Sequence, residues 1–235
     1  MKRLVVFLFL LINAQVVFAT EIITNGGFEV SGTGWLVTNL GSGTFYLDNN
    51  TITNISGHPT VGPADGNLYA VSDQVGPSVN VLFQTFTIPG PTSSAILSFD
   101  MFANNWTGQA PVINPIGLDY TGGPNQYGRV DILLNGADPF TTTAGLLENL
   151  YLGSDLGAFP HQYTPYQFDI TSLVGAGGTF MLRFAVVDNL QNFNMGVDNV
   201  SIQTSTVSAV PEPSTFLLLG AGLVGIGFLR RRIKM

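Results

Sequence analysis

The stretch Thr179-Phe180-Met181-Leu182-Arg183-Phe184-Ala185-Val186-Val187 decides the fold class. In an extended chain Phe180, Leu182, Phe184 and Val186 fall on one side, and Met181, Arg183, Ala185 and Val187 on the other. A period of two among aromatic and β-branched residues, entered through Ala176-Gly177-Gly178, reads as a strand. Ala95 to Phe102 repeats the pattern, setting Ile96, Ser98, Asp100 and Phe102 against Leu97, Phe99 and Met101. Further strands are predicted at Gly43 to Leu47, Leu68 to Ser72, Val79 to Ile88, Tyr127 to Leu134, Pro165 to Ile170 and Met195 to Gln203, with Asn135-Gly136 as a turn. No long stripe of period 3.6 intervenes, so the expected class is all-β, an antiparallel β-sandwich.

Outward from this interior, both ends change character. Met1-Lys2-Arg3, the apolar run Leu4 to Ile12, and Val17-Phe18-Ala19 have the basic start, apolar stretch and small-residue exit of a secretory signal peptide, a helix over residues 1–19 that is cleaved after Ala19. At the other end Val210-Pro211-Glu212-Pro213-Ser214 leads into a run without charge to Leu229, then Arg230-Arg231-Arg232-Ile233-Lys234-Met235. Such a run forms a transmembrane helix that satisfies its own backbone. At about 1.5 Å per residue it reaches roughly 24 Å, a marginal span for a hydrocarbon core of about 30 Å. Clustered arginine stays cytoplasmic, which sets the preceding domain across the membrane. The expected layout is a signal peptide at 1–19, a sandwich ectodomain at 20–205, a linker at 206–213, a transmembrane segment at 214–229 and a basic cytoplasmic tail at 230–235.

The motif Pro211, Glu212, Pro213, the apolar run and the basic stop Arg230, Arg231, Arg232 together resemble the PEP-CTERM sorting signal of exported bacterial proteins. The resemblance covers roughly residues 210–233. It implies handling by an exosortase-type membrane transpeptidase, with an inner-membrane anchored precursor that reaches the cell surface or extracellular matrix of an exopolysaccharide-producing bacterium.

Charge narrows the partners. Six of the eight basic residues lie in the two end segments, so residues 20–209 keep only Arg129 and Arg183 against 14 acidic residues, a formal −12. A surface of that sign repels phosphate backbones and excludes nucleic acid. Cysteine is absent, which removes disulfides and thiolate metal sites.

Asn25-Gly26-Gly27-Phe28-Glu29, Trp35, and Gly196-Val197-Asp198-Asn199-Val200-Ser201-Ile202 are similar to the opening and closing strands of jelly-roll modules of the carbohydrate-binding, galactose-binding-like type. Val130 to Gly136 and Phe168 to Thr171 follow in the matching order. The resemblance implies a jelly roll over roughly residues 20–203 and a structural calcium held by the Gly27 carbonyl, Glu29 and Asp198, with Asp48 and Asp65 as further ligands. Calcium takes about six to eight oxygens, which carboxylates and loop carbonyls supply. The competing reading makes Glu29 and Asp198 turn carboxylates that accept from backbone amides.

No nucleophile motif accompanies His58 or His161, so the chain reads as non-enzymatic. The remaining carboxylate reading, in which Asp100, Asp131 and Asp169 meet in a hydrolytic cleft, is weaker than solvent-facing or turn-capping roles. The loop from Asn104 to Gln126 is long enough to be functional. It combines Trp106 with Asn104, Asn105, Asp119 and Tyr120, groups suited to stacking on a sugar and bonding its hydroxyls. Trp106 reads equally as a lid folded over a sandwich edge. The expected function is non-enzymatic polysaccharide binding, and the alternative is a matrix or surface-layer protein that self-associates without sugar.

Overall fold

The computed structural model describes residues 17–31, 33–207, 220 and 222–223. The strands in chain order are β1 (Val17–Glu21), β2 (Leu36–Gly41), β3 (Thr44–Asp48), β4 (Tyr69–Asp73), β5 (Ser78–Ile88), β6 (Ser94–Asn105), β7 (Gln126–Leu134), β8 (Leu146–Gly153), β9 (Thr164–Asp169), β10 (Gly178–Asp188) and β11 (Phe193–Val207). A single helical turn, α1 (Thr171–Val174), separates β9 from β10.

One sheet has the order β3-β4-β11-β6-β9 with β1 also on β11, and the other has the order β2-β5-β10-β7-β8. From β4 to β7, and again from β8 to β11, each successive strand changes sheet. The result is an antiparallel β-sandwich of jelly-roll type, as the sequence predicts. The deciding stretch lies at the centre of its sheet, where β10 pairs with β5 on one side and β7 on the other.

Alternation explains the core. Phe180, Leu182, Phe184 and Val186 of β10 share one buried cluster with Leu97, Phe99 and Met101 of β6. Phe99 meets Phe184 edge to face, ring centres 5.1 Å apart, which locks the two sheets across the interior. The opposite face of β10 is also buried. Ala185 and Val187 pack with Val79, Val81 and Tyr127, and the loop residues Leu118, Tyr120 and Phe140 lie against them.

Arg183 shows how this covering works. Its side chain is 0 % exposed, and it shares the buried Asp131 carboxylate with Arg129. Its Nη1 donates to the carbonyls of Pro139 and Thr141, both at 2.6 Å. Both arginines of the domain are therefore spent inside, one of them clasping the β7–β8 loop over the sheet. Asn149 adds a 2.8 Å bond to Asp131.

The opening and closing motifs meet. Ile22 N–H donates to the Ile202 carbonyl at 3.0 Å, and Val200 N–H to the Gly26 carbonyl at 2.9 Å. Gly26 is required here because a Cβ would run into the backbone carbonyl of Val200.

Every strand predicted from the sequence has its counterpart, with ends shifted by a few residues. β1, β2 and β8 are additions. β2 buries none of its residues, and β8 pairs with β7 through two irregularities, so neither displays a clean period of two. β1 begins inside the stretch expected as a signal peptide. The remainder of that helix, the Pro-Glu-Pro linker and most of the expected transmembrane segment lie outside the described residues; within that segment only Gly220, Gly222 and Leu223 are described, and they are helical. Among the described residues no helix is long and apolar enough to cross a membrane.

Candidate functional site

The expected sugar-binding residues divide between the two sheets. Asn104 and Asn105 end β6 and are buried, 0 % and 1 % exposed. The Asn104 carbonyl oxygen accepts from His161 N–H at 3.0 Å, and that of Asn105 accepts from the Thr107 hydroxyl at 2.7 Å. Trp106 is half-buried. Its ring stacks on His58 with centres 4.3 Å apart and on Phe159 with centres 4.7 Å apart. Two near-parallel rings at those distances must occupy opposite faces, since on one face they would collide. Its Nε1 donates to Asn194 at 2.7 Å. Both faces of the indole are therefore covered by the protein itself, the arrangement of the lid reading, and neither asparagine presents its amide to solvent.

Asp119 and Tyr120 lie over the other sheet. With Leu40, Ile116, Leu118, Thr121 and Phe140 they line an open groove. The loop that carries them is tied down from below: Asn125 Nδ2 donates to the carbonyls of Gly117 at 2.7 Å and Asp119 at 2.8 Å, and Asn189 Nδ2 to that of Tyr120 at 2.9 Å. Tyr120 packs on the cluster formed by Val79, Val81 and Val187, and Phe140 faces it from the loop held by Arg183. The hydroxyl and N–H of Thr121 both donate to Asp119 Oδ1 at 2.7 Å and hold its carboxyl below the usual range, ionised at neutral pH. The groove thus offers two half-buried aromatic walls and a fixed anionic acceptor. Leu40, Ile116 and Phe140 belong to no sequence motif. Only the Asp-x-Thr spacing at 119–121, which favours a side-chain-to-backbone turn, signals part of the arrangement.

The expected calcium ligands do not converge. Glu29 Oε1 accepts from the N–H groups of Asn67 at 2.7 Å and Leu68 at 2.9 Å, which hold its carboxyl below the usual range. Asp198 Oδ2 accepts from Ala64 at 2.9 Å and Asp65 at 3.2 Å, and its Oδ1 from Asn199 at 2.7 Å. An oxygen lone pair directed at an N–H is not directed at a cation. Asp48 Oδ1 is taken up by Asn49 and Asn50, and among the described residues no three acidic or histidine side chains cluster closely enough to hold a metal. The buried Asp48 Oδ2 has no hydrogen-bond partner, but no other two acidic or histidine side chains join it in a metal-holding cluster among the described residues. Glu29 and Asp198 instead fasten the loop at 64–68 to the two ends of the domain.

Burial pushes the Asp198 carboxyl up to about 6, against the pull of the Asn199, Asp65 and Ala64 amides. A carboxyl raised on folding contributes stability that is complete below its unfolded pKa and is lost as pH rises through the folded value. The melting temperature is therefore expected to fall as pH rises from about 4 to about 6. Asp198→Asn should flatten that slope, and an unchanged slope in the folded variant would refute the assignment.

The three aspartates weighed for hydrolysis do not form a pair of free carboxylates. Asp131 is buried between two arginines, Asp100 accepts from Asn199 Nδ2 at 2.9 Å, and Asp169 accepts from Thr171 N–H at 2.9 Å.

The PEP-CTERM protein-sorting motif matches residues 209–232. No curated protein matches the chain. Among solved structures, TmCBM61 in complex with beta-1,4-galactotriose aligns at 9 % identity over 78 % of this chain and 97 % of its own, with a TM-score of 0.48. The family 11 carbohydrate-binding module from Clostridium thermocellum aligns at 12 % identity over 77 % and 94 %, with a TM-score of 0.40. A Stig cyclase from Fischerella sp. TAU aligns at 18 % identity over 80 % and 98 %, with a TM-score of 0.45. The fold assignment rests on the strand order described above, and the chain joins that antiparallel β-sandwich to a C-terminal stretch matching the PEP-CTERM protein-sorting motif.

Proposed function

We propose that the protein is exported through its C-terminal sorting signal and binds polysaccharide without chemistry at the cell surface or in the extracellular matrix. The observation that carries this reading is the groove of Ile116, Asp119, Tyr120 and Phe140. An aromatic wall covers the C–H face of a pyranose, and a fixed carboxylate accepts from its hydroxyls. The charge of the domain selects further. With Arg129 and Arg183 both buried on Asp131, an anionic glycan finds no guanidinium on the sandwich among the described residues, so the reading favours uncharged or amino-bearing chains.

Affinity electrophoresis of the full-length protein in gels containing neutral, amino-bearing or uronate polysaccharide tests this. Retardation by a neutral or amino-bearing polymer, lost in both Tyr120→Ala and Asp119→Ala with melting retained, is the expected result. Equal retardation of the folded variants, or retardation by uronate polymers alone, would count against it.

A second reading, self-association without sugar, draws on β2. This edge strand carries no charge and exposes Leu36 and Leu40 at 58 % and 49 %. Such an edge pairs readily with another chain. Concentration-dependent association with no retardation in any gel would favour it.

The exosortase-type partner has its own test. Mass spectrometry of the protein from its producing cell is expected to show a mature form lacking Arg230 to Met235, and a mature form that retains them would sink the processing step.

A further inference from the structure

A cavity of about 290 Å³ opens between the two sheets where β2 and β3 form their free edges. β2 leaves every residue at least partly exposed, and Val37 is 44 % exposed although it lines the cavity. Aromatic rings form the walls: Phe28 and Trp35, centres 5.2 Å apart, with Phe45 beside them. Ala70 and Leu82 line the interior, and Ser31 and Thr33 contribute hydroxyl-bearing side chains. The Trp35 indole is fixed by a 3.1 Å hydrogen bond from Nε1 to the Asn25 carbonyl, so this wall is pre-formed. No acidic or basic side chain contributes to the lining.

We propose that this cavity is a second binding site, for an uncharged small molecule with one or two fused rings and a single polar substituent. Three physical points select that class. An apolar space gives water few hydrogen-bond partners, so occupation by an apolar group is favoured over hydration. A charged ligand would lose its hydration without a counter-ion. The volume stands at the lower end of the roughly 300–1,000 Å³ range of small-molecule pockets, which limits the ligand to a compact ring system. The cavity lies between the sheets and the polysaccharide groove on an outer face, so the two sites stand or fall separately.

The test uses 4-bromophenol, a ring with one hydroxyl whose bromine quenches indole fluorescence on contact. In the full-length protein carrying Trp106→Phe, Trp35 is the sole tryptophan. Its fluorescence is expected to fall along a saturable curve, and a further Ala70→Leu substitution, which places a larger side chain in the cavity, should abolish the saturable part. Val37→Phe, at a half-exposed position, narrows the cavity without enlarging a fully buried side chain and should weaken saturation even if Ala70→Leu does not fold. Quenching that stays linear with concentration, or saturation unaltered in a folded variant, would overturn the site.

Discussion

Replacing Asp131 by alanine is expected to destabilise the sandwich by roughly 3–5 kcal/mol, the cost of leaving buried charge without its partner. The carboxylate is fully buried and serves two guanidinium groups, Arg129 through Nε at 2.7 Å and Nη2 at 2.6 Å, and Arg183 through Nε at 3.0 Å. No other acidic side chain bonds either arginine among the described residues. Burial draws the Arg183 guanidinium below its usual range, and the charge of Asp131 works the other way. Removing the carboxylate leaves the burial penalty and the repulsion of Arg129 without a counter-charge. Urea denaturation of wild type and variant measures the difference, and a loss below about 1 kcal/mol would show that the triad is solvated. Replacing all three members together by apolar residues of similar volume is expected to cost far less than the single change, because no charge is then left unpaired. Loosening Arg183 also releases Pro139 and Thr141, so polysaccharide affinity should fall with stability in Asp131→Ala.

Gly26→Ala should cost about 2–4 kcal/mol, through overpacking and a lost backbone hydrogen bond. The new methyl would meet the carbonyl carbon and oxygen of Val200, atoms that cannot move without shifting β11. Relief of that collision also breaks the 2.9 Å bond from Val200 N–H to the Gly26 carbonyl, which joins the opening segment to the closing strand. The neighbouring glycine supplies an internal control. A Cβ on Gly27 meets nothing within 4 Å, so Gly27→Ala is expected to lie within about 0.5 kcal/mol of wild type. Equal effects of the two substitutions, measured by denaturation, would contradict this account of the Asn-Gly-Gly-Phe motif.

The sequence displays the fold where a strand is buried on one face and pleated regularly. β10 and β6 carry their inner residues at alternate positions, so their period is visible. β2 is not visible because an edge strand exposed on both sides has no burial period, and β8 is hidden because its irregular pairing breaks the alternation with β7. Position along a strand also fails to reveal the fate of Arg183. Its alternation marks the outward face, yet a loop about 40 residues earlier covers that face and turns the arginine into a buried anchor.

Half of the groove is legible for a similar reason. Asp119 and Tyr120 stand in a recognisable polar turn, whereas Leu40, Ile116 and Phe140 come from three separate segments that only the folded chain brings together. Trp106 has the local sequence of an exposed aromatic, but His58, about 50 residues before it, and Phe159, about 50 after, close over both faces. The opening and closing motifs are as near in space as their resemblance implies. Backbone amides, however, bond to Glu29 Oε1 and Asp198 Oδ2, two of the carboxylate oxygens that the calcium reading would use.

The most direct measurement of the binding claim is amide hydrogen exchange of the full-length protein with and without a polysaccharide that retards it. Slowed exchange confined to residues 116–121, around Phe140 and at the end of β2 near Leu40 is the predicted footprint. Protection centred on Trp106 and Phe159, with the 116–121 segment exchanging at its free rate, would contradict the groove as the binding site.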